Sequence, residues 1–245
     1  MSDDDSGPIL PDHIEEGAML LVDKPFSWTS FDVVAKLRSR LKTHYRLRKI
    51  KVGHAGTLDP MATGLLILCT GRETKQLDSY QGLPKEYTGV ITLGATTPSY
   101  DAETAIDQTF PIAHITEERI EAARQQFIGE IEQLPPIFSA IKVDGQPLYK
   151  KARRGESIQV EPRKISIYAF DITQVALPEV HFRVRCSKGT YIRSLAYDFG
   201  QALGSGAYLS ALRRTAIGPY TVQQAWKLDD LIGAILQSPV PDAQD

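Results

Sequence analysis

Residues 53–71 read GHAGTLDPMATGLLILCTG. One carboxylate, Asp59, stands in a short loop crowded with Gly53, Gly56, Pro60 and Gly64, and the apolar run Leu65–Leu68 follows at once. Glycine permits backbone angles that other residues resist, and proline fixes the residue after the acid. A chain built this way holds one side chain at a set angle on the rim of a buried strand. His54 lies five positions upstream of the acid. An aspartate that works beside a dense run of cations points to chemistry on a polyanion.

That run occupies the preceding segment. Eight basic residues (Lys36, Arg38, Arg40, Lys42, Arg46, Arg48, Lys49, Lys51) and no acid fall between positions 36 and 51. The first sixteen residues carry six acids and no Lys or Arg. The net charge of −2 therefore hides a strong local asymmetry, which reads either as a solvated helix face and loop or as an anion-binding face that contacts nucleic acid. A second basic stretch, residues 135–162, combines Lys142, Lys150, Lys151, Arg153 and Arg154 with Pro135, Pro136, Gly145, Pro147 and Gly155. A long, turn-rich segment of that kind inside a compact domain is usually functional or mobile, and otherwise is a solvated loop with chance charges.

The 245 residues suffice for one large domain or two small ones, and 42% hydrophobic with 24% charged residues is ordinary for a soluble globular chain. No apolar run approaches the roughly 20 residues that cross a bilayer. The acidic N-terminus lacks the layout of a signal peptide. The two cysteines, Cys69 and Cys186, sit in strand-like apolar runs, so reduced buried thiols and a cytoplasmic location are expected. No pair of Cys/His clusters has zinc spacing, and no structural metal is expected.

The elements read as mixed α and β. Ala18–Val22, Leu65–Cys69 and Tyr87–Leu93 are predicted strands. Thr29 or Ser30 caps a helix to about Leu41 with Phe31, Val34, Leu37 and Leu41 inward, and Thr116 caps another with Ile120, Ala123 and Phe127 inward. In Val180–Cys186 apolar residues alternate with His181, Arg183 and Arg185, the pattern of a half-buried antiparallel strand. Thr190 then caps a helix whose inward stripe is Ile192, Leu195, Ala196, Phe199 and Leu203, with Tyr191 and Arg193 projecting from its first turn. By chemistry alone Asp59 is a turn residue satisfying local amides, or a nucleophile or general base that needs no metal. Arg193 would suit it as a partner, though 134 residues separate the two and spacing does not bring them together.

The chain resembles the TruB family of bacterial tRNA pseudouridine-55 synthases. The matching pieces run in family order: LLVDKP at 20–25, GHAGTLDPMATGLL at 53–66, G-x-x-TK at 71–75, KEYTGVITLG at 85–94, TPSYDAE at 97–103, PPIFSAIKVDGQPLYKKARRG at 135–155, CSKGTYIRSLAYDFG at 186–200 and GAYLSALRR at 206–214. The resemblance implies an α+β pseudouridine synthase fold, a mixed and mainly antiparallel sheet flanked by helices with a central RNA-binding cleft. It implies isomerisation of uridine 55 in the T-arm of tRNA, with the base flipped from its stack and no cofactor or metal in the chemistry. The catalytic residues it implies are Asp59, Tyr87, which packs on the base and shuttles a proton, and Arg193, which pairs with the aspartate. His54 takes the flipped nucleotide's place, Tyr191 is an active-site aromatic, and Asp101 lies near the uracil edge. Lys24, Lys75, Lys142 and Arg153 are expected to face RNA or support its site.

Residues 1–17 are expected to form an acidic tail, 18–237 the catalytic domain and 238–245 a C-terminal tail. The 31 residues past Arg214 are too few for the RNA-binding PUA domain of many relatives, so that domain is expected to be absent, and with it any guide RNA or protein partner. A monomer is expected. Two alternatives stay open: a tRNA-binding folding chaperone with secondary catalysis, and a synthase acting on another RNA.

Overall fold

A computed structural model describes residues 8–136, 142–143, 146–147 and 160–240. The chain divides into two compact units, residues 1–85 with 213–245, and residues 86–212. The first unit opens with β1 (Met19–Lys24), α1 (Ser30–His44), β2 (Val52–Ala55), β3 (Ala62–Thr70) and α2 (Leu77–Gly82). The chain then builds β4 (Lys85–Leu93), β5 (Ala95–Thr96), β6 (Gln108–Thr109), α3 (Glu117–Gln125), β7 (Gly129–Gln133), β8 (Lys142–Val143), β9 (Gln146–Pro147), β10 (Arg163–Ala176), β11 (Glu179–Cys186) and α4 (Ile192–Ala202). Strand β12 (Ala207–Ile217) leads back to the first unit, which is completed by β13 (Tyr220–Thr221), β14 (Trp226–Lys227) and α5 (Leu228–Gln237).

In the first unit β3 is the central strand. It pairs antiparallel with β1, from Met19↔Cys69 to Lys24↔Gly64, and with β2, from Val52↔Thr70 to Ala55↔Ile67. Successive side chains of a strand point to opposite faces, and β3 buries both. Leu66 and Leu68 join Leu20 and Val22 beneath α1 and α5, while Leu65, Ile67 and Cys69 pack with Ala55, Ile217 and Val222 on the other face. Removal from water stabilises each such side chain by roughly 1.5–3 kcal/mol. That is why the run after Asp59 is continuous rather than alternating.

The expected elements are present with shifted details. Strand β1 includes Asp23 and Lys24, because Arg213 pairs with the Asp23 carboxylate at 2.7 Å and the Lys24 ammonium finds backbone carbonyls. Thr29 caps α1 in a full capping box with Asp32. The buried stripe of α1 is Ser30, Val33, Val34, Leu37 and Leu41, and Phe31 is 64% exposed rather than inward. One residue is 100° of helix, so a stripe that starts at Ser30 leaves Phe31 outside it. Ile14, inside the segment read as an acidic tail, is fully buried, and its carbonyl accepts from the Thr70 hydroxyl. At the far end of α1 the Tyr45 and Ser238 hydroxyls share a hydrogen bond of 2.7 Å, and the Ser238 carbonyl accepts from His44 Nε2 at 2.9 Å.

In the second unit β4, β11, β10 and β7 lie side by side, with β10 antiparallel to both β11 and β7. Val180, Phe182, Val184 and Cys186 are buried as the alternation of β11 requires. Phe170, Phe182 and Phe199 form an aromatic core with edge-to-face contacts at 5.7 and 6.0 Å, and Phe127 of the α3 side joins it. Helix α4 buries Ile192, Leu195, Ala196 and Phe199 as expected. Its cap is Tyr191 and not Thr190, whose hydroxyl bonds instead to the Ser187 carbonyl at 3.0 Å. No helix among the described residues is long and apolar enough to cross a membrane.

Candidate active site

Asp59 lies half-buried in the loop between β2 and β3, and the backbone of that loop is tied at Gly56, Leu58, Asp59 and Pro60. The Arg214 guanidinium donates to the Gly56 carbonyl at 3.1 Å and to the Leu65 carbonyl at 2.7 Å, so it spans the loop from entry to exit. The Ser30 hydroxyl donates to the Leu58 carbonyl and accepts from its amide, at 3.2 and 2.8 Å. The carbonyl of Asp59 itself accepts from the Ala62 amide at 3.1 Å. The Pro60 carbonyl accepts from the Ser27 amide at 2.9 Å and from Lys24 Nζ at 3.4 Å. Polar atoms withdrawn from water need such partners. Here their sum is a backbone with little freedom on either side of one carboxylate.

Lys24 and Arg214 are 0% and 1% exposed, which is rare for cations. Lys24 donates to the carbonyls of Pro25 and Trp28 at 2.9 and 2.6 Å as well as to Pro60. Burial lowers its pKa from the usual 10.5 to about 8, against the pull of the Asp59 charge. A lysine depressed in the folded state makes that state bind fewer protons than the unfolded one between these two values. Stability therefore rises with pH across that window, and the burial cost is fully present below pH 8. The expected outcome is that Lys24→Met loses this rise: urea unfolding at pH 8 and 10 gives wild type a larger gain than the variant.

His54 follows the same logic. Burial lowers its pKa first, then the Arg214 charge, while the Gly56 backbone pulls weakly the other way. Its Nδ1 is the one buried side-chain polar atom without a hydrogen bond among the described residues. A neutral ring beside Arg214 is suited to stacking rather than to holding charge.

The second unit assembles the other expected residues. Tyr87 is buried in β4 at 8% exposure. Arg193 does not project from α4 but is 4% exposed. Its Nε lies 3.6 Å from the Asp101 carboxylate, and its Nη1 donates to the Ser99 carbonyl at 3.2 Å. Asp101 is buried as well, and its Oδ1 accepts from the Ser99 hydroxyl at 2.6 Å and the Glu103 amide at 3.0 Å. The neighbouring Tyr100 adopts a left-handed φ of 62° and stacks on Tyr197 at 4.1 Å, which fixes this turn. Tyr191 is held by its backbone: the Gln133 side chain donates to its carbonyl at 3.0 Å and accepts from its amide at 2.8 Å.

Lys75 is exposed on a short 3-10 helix. Lys142 belongs to β8, which pairs with β9. Arg153 and most of the loop read at 135–162 lie outside the described residues. The sequence reading missed Arg214, Ser30, Ser99 and Gln133 as supports. Arg214 ends the GAYLSALRR motif, and only its burial marks it as a support. Among the described residues one trio of potential metal ligands, His13, Glu15 and Glu16, clusters near the N-terminus, where none of the expected site residues lies.

A family model described as "TruB family pseudouridylate synthase (N terminal domain)" matches residues 42–192, and one described as "tRNA pseudouridylate synthase B C-terminal domain" matches 193–242. A protein of Flavobacterium johnsoniae named tRNA pseudouridine synthase B is 60% identical over 89% of this chain and 95% of its own length. One of Phocaeicola vulgatus with the same name is 49% identical over 89% and 92%. Among solved structures, a Cbf5-Nop10-Gar1 complex matches with TM-score 0.68 and 31% identity over 90% of this chain. The chain spans 55% of that matched chain.

Proposed function

The chain belongs to the TruB family of pseudouridylate synthases, and from that premise we propose that it isomerises uridine 55 in the T-arm of tRNA to pseudouridine. The observation that carries this reading is the 60% identity, over nearly its full length, to a protein named tRNA pseudouridine synthase B. The reaction breaks the bond from ribose C1′ to base N1, turns the uracil, and joins C1′ to C5. The proton on C5 leaves to solvent and N1 gains one. Atoms and electrons balance without an oxidant or reductant.

The proposed roles follow the family pattern. Asp59 drives glycosidic cleavage, Arg193 is the cation that holds its carboxylate ionised, and Tyr87 packs on the base and moves the proton. His54 fills the gap that the flipped nucleotide leaves, Tyr191 lines the base pocket, and Asp101 borders the uracil edge. The tied backbone around Asp59 supports this, because a displaced reacting group loses the benefit of fixed geometry. So does the buried Asp101–Arg193 pair, which orients the guanidinium from its own unit. Flipping costs a few kcal/mol, and aromatic stacking returns roughly 1–3 kcal/mol per base. Lys24 acts through the Pro60 carbonyl. Lys75, Lys142 and Arg153 are proposed RNA contacts. The enzyme acts as a monomer in the cytoplasm without guide RNA or protein partner.

The test is tritium release from tRNA labelled at uracil C5. The wild type is expected to release tritium equally with and without EDTA. Absence of release with intact tRNA binding would move the reading to a folding chaperone. Raising salt should weaken binding steeply: about four phosphate contacts give a slope near −3, or ~60-fold weaker binding for fourfold more salt.

A further inference from the structure

The turn that joins β1 to α1 and the first turn of α1 each display an aromatic side chain that the site described above does not use. Phe26 is 55% exposed and Phe31 is 64% exposed, and no other phenylalanine among the described residues is so open to water. Both flank one short segment, and that segment is the one tied to the catalytic loop. The Ser27 amide donates to the carbonyl of Pro60, the residue after Asp59, at 2.9 Å. The Lys24 ammonium bonds the carbonyls of Pro25 and Trp28, so it clamps the backbone on both sides of Phe26 and Ser27.

Ser27 holds a left-handed φ of 64°, an uncommon conformation for a residue with a Cβ. Such strain persists where the surroundings over-determine it, and it clusters at functional sites. Phe31 is the second residue of α1, whose first turn is locked by the Thr29–Asp32 capping box. Both rings are therefore carried on rigid backbone, so little main-chain ordering is needed when something packs on them.

The same helix and the loop after it say what that is. Arg40, Lys42, Arg46, Arg48, Lys49 and Lys51 are all exposed. A partner that meets aromatic faces at the start of this helix and a row of cations from its far end onward must offer flat apolar surfaces together with regularly spaced negative charge. Unpaired nucleotides do both, through their bases and their phosphates.

We propose that Phe26 and Phe31 form a stacking step for unpaired bases of the RNA substrate, set against the loop that carries Asp59. The inference rests on the tRNA-modifying reading above and adds to it a site in this chain's own surface.

The experiment measures Kd for an unmodified tRNA transcript over a salt series, together with tritium release, for the wild type, Phe26→Ala, Phe31→Ala and the two Phe→Tyr variants. Because both side chains are exposed, melting temperatures should match the wild type. Each alanine variant is expected to bind ~5- to ~30-fold more weakly, with the loss in KM rather than kcat, and each tyrosine variant within about twofold of wild type. The slope of log Kd against log salt should stay that of the wild type, whereas losing a phosphate contact lowers it by about 1. Alanine variants with wild-type Kd would overturn the proposal, and would be the result if these rings docked a protein instead. A changed salt slope would overturn it too, since the rings would then act through phosphate contacts. Failure of the wild type to release tritium would sink the uridine-55 reading, and is read separately from these Kd ratios.

Discussion

Replacing Asp59 by asparagine is expected to abolish tritium release from C5-labelled tRNA, by at least about 10⁴-fold, as for other enzymes that lose the group acting on the reacting bond. The tRNA should remain bound and the melting temperature should hold. The reason lies in which atoms tie the loop. Ser30 bonds the backbone of Leu58, Arg214 bonds the carbonyls of Gly56 and Leu65, and Lys24 and Ser27 bond the Pro60 carbonyl. Each of these contacts is to main chain and is kept by the substitution, so the isosteric amide should keep the loop in place. Single-turnover release, a filter-binding Kd and a thermal melt on the same preparation separate chemistry from folding. Release within tenfold of wild type would remove Asp59 from the reaction.

The largest structural effect is expected from Gly64→Ala. Gly64 has φ +103°, and a Cβ there would lie 2.3 Å from the Arg214 carbonyl oxygen and 2.7 Å from its nitrogen. Both obstacles are backbone and cannot rotate away. Left-handed strain of about 1–3 kcal/mol adds to the cost of pushing β12 off β3. At ~2–4 °C per kcal/mol for a chain of this size, the melting temperature should fall by roughly 10 °C or more. Moving β12 also moves Arg214, which closes the Asp59 loop, so kcat should fall in the protein that still folds at low temperature. A melt within 2 °C of wild type would show that this close approach is not built as described.

The fold was legible where periodicity is strong. The alternation of Val180–Cys186 became β11, the stripe of Ile192 to Leu203 became α4, and the continuous run 65–69 became a strand buried on both faces. It was less legible where tertiary partners decide. Strand β10 runs fourteen residues through a segment whose pairing with β7 no local pattern announces. Helix α5 lacks a side-chain cap and is held by burial of Leu228, Leu231, Ile232 and Ile235. Phe31 shares helical spacing with Val34, Leu37 and Leu41, and it is the burial of Ser30 and Val33 that turns the inward face about one residue away from it.

The site divides in the same way. Asp59 and His54 stood out by type and spacing in one segment, and Lys24, Asp101 and Arg193 were assigned through a resemblance in motifs. The supports were invisible. A buried arginine such as Arg214 looks like any surface arginine until its carbonyl partners are seen, and the clasp of Gln133 on the Tyr191 backbone joins residues 58 positions apart.

The most direct measurement is to treat an unmodified tRNA transcript with this enzyme and map pseudouridine by carbodiimide modification and primer extension. A single new stop reporting uridine 55, present with the wild type and missing with Asp59→Asn, is the predicted result. A stop at another uridine, or the same stop from the asparagine variant, would contradict the account.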